Sequence, residues 1–177
     1  MRFIFYSNLK ARDKRGCTPL HICSVFDQKP IARLLLEHGA DVEALDNEGS
    51  TTLHLGAAFS DVHMVCLLLE NGANINTCDS EGGTALHTAA ALGKMKIVRA
   101  LIDAGSDVNA LDNYSHSPLH VSAGSGHVDI VRLLVVSGAE VNILDKDGLT
   151  PAGCASLFAH EKVTEYLKES VEEHSCP

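Results

Sequence analysis

Two kinds of apolar segment alternate along most of this chain. The first kind opens on an apolar residue followed by small side chains, as in Cys23-Ser24, Gly56-Ala57, Ala89-Ala90, Ser122-Ala123 and Ala155-Ser156. Small residues on one side of a helix let neighbouring helices approach closely. The second kind carries larger residues at helical spacing: Ile31/Leu34/Leu35, Met64/Val65/Leu67/Leu68, Ile97/Val98/Leu101 and Ile130/Val131/Leu133/Leu134. Three- and four-residue steps of this sort predict the buried stripe of a packed helix. Each first segment is preceded by Thr18, Thr51, Thr84, Ser117 or Thr150, a hydroxyl placed to cap a helix N-terminus. Pro19, Pro118 and Pro151 follow at the first helical position, where a missing N–H costs nothing. Each of the first four second segments ends at Gly39, Gly72, Gly105 or Gly138, suited to the left-handed conformation that closes a helix.

These landmarks share one spacing. Thr18-Pro19-Leu20-His21, Thr51-Thr52-Leu53-His54, Thr84-Ala85-Leu86-His87 and Ser117-Pro118-Leu119-His120 recur every 33 residues, with a degenerate copy at Thr150-Pro151-Ala152-Gly153. Asp13, Asp46, Asp79, Asp112 and Asp145 keep the same step, and so do the four glycines. The chain therefore divides into units 13–45, 46–78, 79–111, 112–144 and 145–177, preceded by residues 1–12 as a partial unit or cap. It resembles the ankyrin-repeat family, in which a turn is followed by two antiparallel helices. The resemblance implies an all-α repeat solenoid, ankyrin-like, with short β-hairpin or turn fingers. No unit can bury its apolar faces alone, so each must lean on its neighbours. In the last unit Glu161, Thr164 and Lys168 take the outward face while Val163, Tyr166 and Leu167 turn inward, and Val171 replaces the closing glycine. A C-terminal capping helix running to about residue 173 is expected. At the other end, Phe3, Ile4 and Phe5 make a poor cap, which points to a protein extending further upstream.

Composition narrows the function. Hydrophobic residues make up 45% of the 177, but aromatics only 5%, with no Trp, so the core must be built from Leu, Val, Ile and Ala. The net charge of −9 is uneven: residues 1–45 carry seven Lys/Arg against five Asp/Glu, and the remainder is acidic. An acidic body argues against nucleic acid and against an anionic membrane surface. Six cysteines without a C-x-x-C pair read as free thiols in a reducing compartment. A cytoplasmic or nuclear protein, monomeric on its own, is the expectation.

Candidate chemistry dissolves when the residues are put in register. The resemblance makes His21, His54, His87 and His120 structural ties between adjacent turns, and His127 and His160 residues of the inter-helix turn. His160-Glu161 lacks the second ligand of a zinc helix, since Thr164 stands there, and Gly124-Ser125-Gly126 lies between helices rather than after a strand. No metal, cofactor or catalytic residue is expected, and the chain is read as no enzyme. Residues that the fold does not need are more telling. Position 14 of each unit, counted from its Asp, reads Phe26, Phe59, Leu92, Ser125 and Phe158. Family geometry turns this position and its neighbour, position 13 (Val25, Ala58, Ala91, Gly124 and Leu157), toward a concave groove, giving an apolar stripe broken in the fourth unit. The first fingertip is basic, with Lys14 and Arg15, whereas Glu48 and Glu81 make the next two acidic, and Tyr114 stands at the fourth. The resemblance also marks Asn76, Asn109 and Asn142, each eight residues after a Leu, as substrates for an asparaginyl hydroxylase. The expected function is a non-catalytic scaffold that binds a partner protein through groove and fingertips. A stand-alone inhibitor covering the active or docking site of an enzyme is the alternative.

Overall fold

The structure, a computed structural model, describes residues 9–174. Ten helices occur among them, in five antiparallel pairs: α1 Pro19–Val25 with α2 Lys29–Glu37, α3 Thr52–Phe59 with α4 Val62–Glu70, α5 Ala85–Ala91 with α6 Met95–Asp103, α7 Pro118–Gly124 with α8 Val128–Val136, and α9 Pro151–Leu157 with α10 Glu161–His174. First helices stack on first helices and second on second along the array. The expectations for Phe3, Ile4 and Phe5 lie outside the described residues.

Sequence accounts for each helix end. Thr18, Ser117 and Thr150 hold extended backbone and accept a hydrogen bond from the third helical N–H. Gly39, Gly72, Gly105 and Gly138 close the second helices with φ between 84 and 93°, a region that an L side chain enters only at a cost. Small residues line the stack of first helices: Ala57, Ala89, Ala90, Ala123 and Ala155 are wholly buried, and above them sit Leu20, Leu53, Leu86 and Leu119. The second layer is filled by Met64, Val65, Leu68, Val98, Leu101, Val131 and Leu134. Val163 and Leu167 are buried on the inner face of α10, whose outer face shows Glu161, Glu165 and Lys168 to solvent.

Burial fails where a neighbour is lacking. Ile31 and Leu34, expected in the buried stripe of α2, are 50% and 43% exposed. No described helix packs on their far side, so α2 buries Ala32 instead. Leu157 and Ser156 are exposed on α9 for the same reason at the opposite end.

Two sets of bonds tie unit to unit. The Nδ1 atoms of His21, His54, His87 and His120 accept the N-cap backbone N–H at 3.1–3.2 Å. That places the proton on Nε2, which donates to the carbonyl of Ser50, Gly83, His116 or Leu149 in the next unit, at 3.0–3.2 Å. Burial lowers the pKa of all four rings, so they remain neutral in the fold. The fingers are joined by one backbone bond each: Asn47 N–H to Arg15, Ser80 to Glu48, Asn113 to Glu81 and Lys146 to Tyr114. Of the two forms expected for the fingers, hairpin or turn, they take the turn, and no strand occurs among the described residues. The physical reason lies in the opening Asp of each turn: Oδ1 of Asp13, Asp46, Asp79, Asp112 and Asp145 accepts the backbone N–H groups two and four residues on, which occupies the donors that a ladder would use.

Inter-helix turns vary more. His127 and His160 donate Nε2–H to the carbonyls of Ala91 and Gly124 in the preceding unit. A Cβ on Gly126 would stand 2.6 Å from the His160 ring, so that glycine supplies both its φ of +76° and the space. Between the first two units Ser60 Oγ donates to Ser24 O. Asp61 caps α4 through the N–H groups of His63 and Met64, and it pairs with Lys29, which also holds Asp27. Between the second and third units the corresponding residue is Lys94, and a cavity of about 330 Å³ opens there, lined by Ser60, Asp61, Val62, Met95 and Ile97 among others.

Candidate protein-interaction groove

Position 14 is the C-cap of α1, α5, α7 and α9 and the last residue of α3. Its side chain leaves the stack just where the helix ends, so no neighbouring turn covers it. Phe26, Phe59, Leu92 and Phe158 are 65%, 59%, 52% and 66% exposed. Ser125 interrupts the row, as expected. The Phe158 ring lies 3.8 Å from where a Cβ would stand on Gly124, over the preceding first helix. Exposed large apolar side chains repeated at one position in three successive units form an apolar row of the kind that marks binding surfaces.

A cavity of about 340 Å³ adjoins this row, between the first two fingers and the first helices. Lys14, Arg15, Asp46, Asn47 and Glu48 form its finger wall, and Val25, Leu55 and Phe59 its helical floor. The structure thus brings together three expected residues of the first finger and groove, Lys14, Arg15 and Phe59, with Glu48 from the second. It leaves Phe158 apart, at the last unit. Val25, at position 13, lines the cavity as the family geometry implies, whereas Leu55 was not expected there. The helical period places Leu55 one turn before Phe59, and that signal was available.

Fingertip charges fall into two classes. Asp46, Asp79 and Asp112 spend their carboxylates on their own turns, as described above. Glu43 is likewise committed, accepting from Asn74 N–H and Thr77 Oγ of the next unit. In contrast, Lys14, Arg15, Glu48 and Glu81 are exposed, and none forms a salt bridge or a side-chain hydrogen bond among the described residues. Tyr114, 54% exposed, stands on the fourth finger with its ring 5.9 Å from that of His116.

His116 and a second row of apolar residues also went unread. His116 Nδ1 lies 3.2 Å from Asp112 Oδ2 and its Nε2 3.7 Å from Asp145 Oδ2, joining the fourth and fifth fingers. Asp145 is itself buried, and the bonds from Leu149 and Asp147 N–H hold its carboxyl below the usual range although burial opposes them. Its carboxylate and burial together raise the Cys154 thiol to about 11, which leaves that cysteine protonated and unreactive. Leu45, Leu111 and Leu144, 33 residues apart or a multiple of it, are 44%, 44% and 56% exposed beside the opening Asp of the fingers. Of the three asparagines, Asn76 and Asn109 use Oδ1 to accept the N–H of Asp107 and Glu140 across units. Asn142 has no such bond and is exposed.

A family profile for ankyrin repeats, in three overlapping copies, matches residues 2–79, 53–145 and 86–176. The chain belongs to the ankyrin-repeat family. Ankyrin repeats are in general protein–protein interaction modules, and this one has the helix pairs, capped first helices and projecting fingers of the family. No curated protein matches this ankyrin-repeat chain. No helix among its described residues is long and apolar enough to cross a membrane.

Proposed function

We propose that this ankyrin-repeat chain is a scaffold that binds another protein in its groove, without catalysing a reaction on it. The observation that carries the reading is the row Phe26, Phe59 and Leu92: three large apolar side chains more than half exposed, on a rigid stack that needs none of them for its core. Water held over such a row is released when an apolar partner surface covers it. Stacked units hold the anchors in place beforehand, which limits the entropy lost on docking. The fingertip charges of Lys14, Arg15, Glu48 and Glu81 orient the encounter and raise its rate, and Tyr114 and Phe158 extend the contact toward the C-terminal units.

The test compares partners captured from the source cell by wild type and by a Phe26→Ala/Phe59→Ala variant shown by circular dichroism to be folded. Partners held in the groove are lost from the variant. For a purified partner, Phe59→Ala alone costs about 2 kcal/mol of affinity if Phe59 is an anchor, with little change in melting temperature. An unchanged set of partners moves the site to the fingertips or the second helices.

A further inference from the structure

Charge and apolarity are distributed along the groove in the same three units. The apolar row runs through Phe26, Phe59 and Leu92 and stops at Ser125. Uncommitted fingertip charge runs over the same stretch and changes sign within it. The first finger carries the exposed cations Lys14 and Arg15 with Lys10 nearby, the second Glu48 and the third Glu81. The fourth tip, Asn113-Tyr114, has no charged side chain, and on the fifth Lys146 and Asp147 offset each other. A fold that needed these charges would have paired them, as it has paired Lys29 with Asp27 and Asp61. In the cavity below the first two fingers the change of sign, from Lys14 and Arg15 to Glu48, lies over one apolar floor of Val25, Leu55 and Phe59.

We propose, resting on the groove reading above, that units one to three bind a single continuous segment of a partner protein that is charge-polarised. Its acidic end lies at Lys14 and Arg15, its apolar residues cover Phe26, Phe59 and Leu92, and its basic end reaches Glu48 and Glu81. A segment with the opposite charge order meets like charge at both ends and is rejected, so the fingertips set both the direction and the choice of the bound segment. Neighbouring helices pack at roughly 8–10 Å, so consecutive anchors recur at about that interval. Three of them are spanned by a short stretch of chain.

The probe is a displayed library of random peptides long enough to cross three units, selected against the full chain. Enriched peptides are then measured by fluorescence anisotropy against wild type, Lys14→Glu/Arg15→Glu, Glu48→Lys/Glu81→Lys and Phe59→Ala, each confirmed folded. The expected peptides carry acidic residues on one side of an apolar core and basic residues on the other. Lys14→Glu/Arg15→Glu weakens them on the order of tenfold at low salt, and replacing the acidic end of the peptide by Lys restores binding to that variant alone. Enriched peptides that lose affinity with Phe59→Ala but ignore both charge reversals overturn the polarity and leave the groove standing. Peptides indifferent to Phe59→Ala overturn the groove reading itself. A selection that enriches nothing overturns the claim that one linear segment suffices.

Discussion

Acid should loosen this array at a pH where most proteins are unaffected. The four buried rings of His21, His54, His87 and His120 have pKa values lowered by burial, against about 6.5 in an unfolded chain. As pH falls through that unfolded value the denatured state takes up protons while the native rings stay neutral. Their contribution to stability is thus complete above the unfolded pKa and is lost below it, down to the lowered native value. The geometry gives the reason: a proton on Nδ1 would point at the N–H of Thr18, Thr51, Thr84 or Ser117, turning an acceptor into a second donor. Linkage sets a ceiling of about 1.4 kcal/mol per ring at one pH unit below 6.5, reached by a ring that stays neutral in the fold. The carboxylates with lowered pKa, Asp61 and Asp145, fall under the opposite rule. Their contribution is present above about 3.9 and is lost only as pH drops further, so they do not blur the window. The assay is urea unfolding followed by circular dichroism from pH 7.5 to 5.5, with His54→Gln beside wild type. His54→Gln is expected to lose about 2 kcal/mol at neutral pH for its hydrogen bonds to Thr51 and Gly83 and to show a shallower pH dependence by about a quarter. A midpoint that stays flat across this range refutes the neutral-ring argument.

Other substitutions probe single features. Ser115 holds φ +62° where the other four fingers have glycine, so Ser115→Gly should raise stability by about 1 kcal/mol, read from the urea midpoint. Gly49→Ala should cost clearly more than Gly72→Ala: a Cβ at Gly49 meets Ser80 N at 2.7 Å, while at Gly72 it meets nothing and only the φ is strained. Leu167→Ala, at a wholly buried site of the capping helix, should destabilise by about 2–5 kcal/mol, with the loss seen first as hydrogen exchange in α9 and α10. Incubated with an asparaginyl hydroxylase, the unencumbered Asn142 should gain one oxygen ahead of Asn76 and Asn109, as read by peptide mass mapping; modification at Asn76 first would contradict the ordering.

What the sequence makes legible is whatever one unit decides for itself. Thr18, Pro19 and Gly39 act within a turn or two of chain, and their roles follow from local geometry. Leu68 and Leu101 follow from period, because a neighbour lies on both sides. Ile31 and Leu34 have the same period and are nevertheless exposed, since burial belongs to the pair of units and not to the stripe. The groove was half legible. Position 14 and Val25 beside it stand out once the units are aligned, whereas Leu55 reads as an ordinary helix residue until the fingers are seen to leave a cavity against it. His116 was hidden most deeply, because its two carboxylates, Asp112 and Asp145, come from different units and one of them already looked accounted for by its own turn.

The cavity between the second and third units has a mechanical meaning. A stack of this kind, pulled from its ends, carries the load through its interfaces one after another, and the weakest sets the strength of the whole. The first interface has the Ser60 Oγ bond and the Lys29–Asp61 pair at its inter-helix edge, and the last two have His127 and His160. Lys94 supplies no such strut. Under tension the inter-helix edge should open there first, while Ser80 Oγ on Glu48 O and Asp107 N–H on Asn76 still hold the finger edge of the same interface. That opening would run through the site proposed for the bound segment, between Phe59 and Leu92, so a partner seated across it would act as a splint.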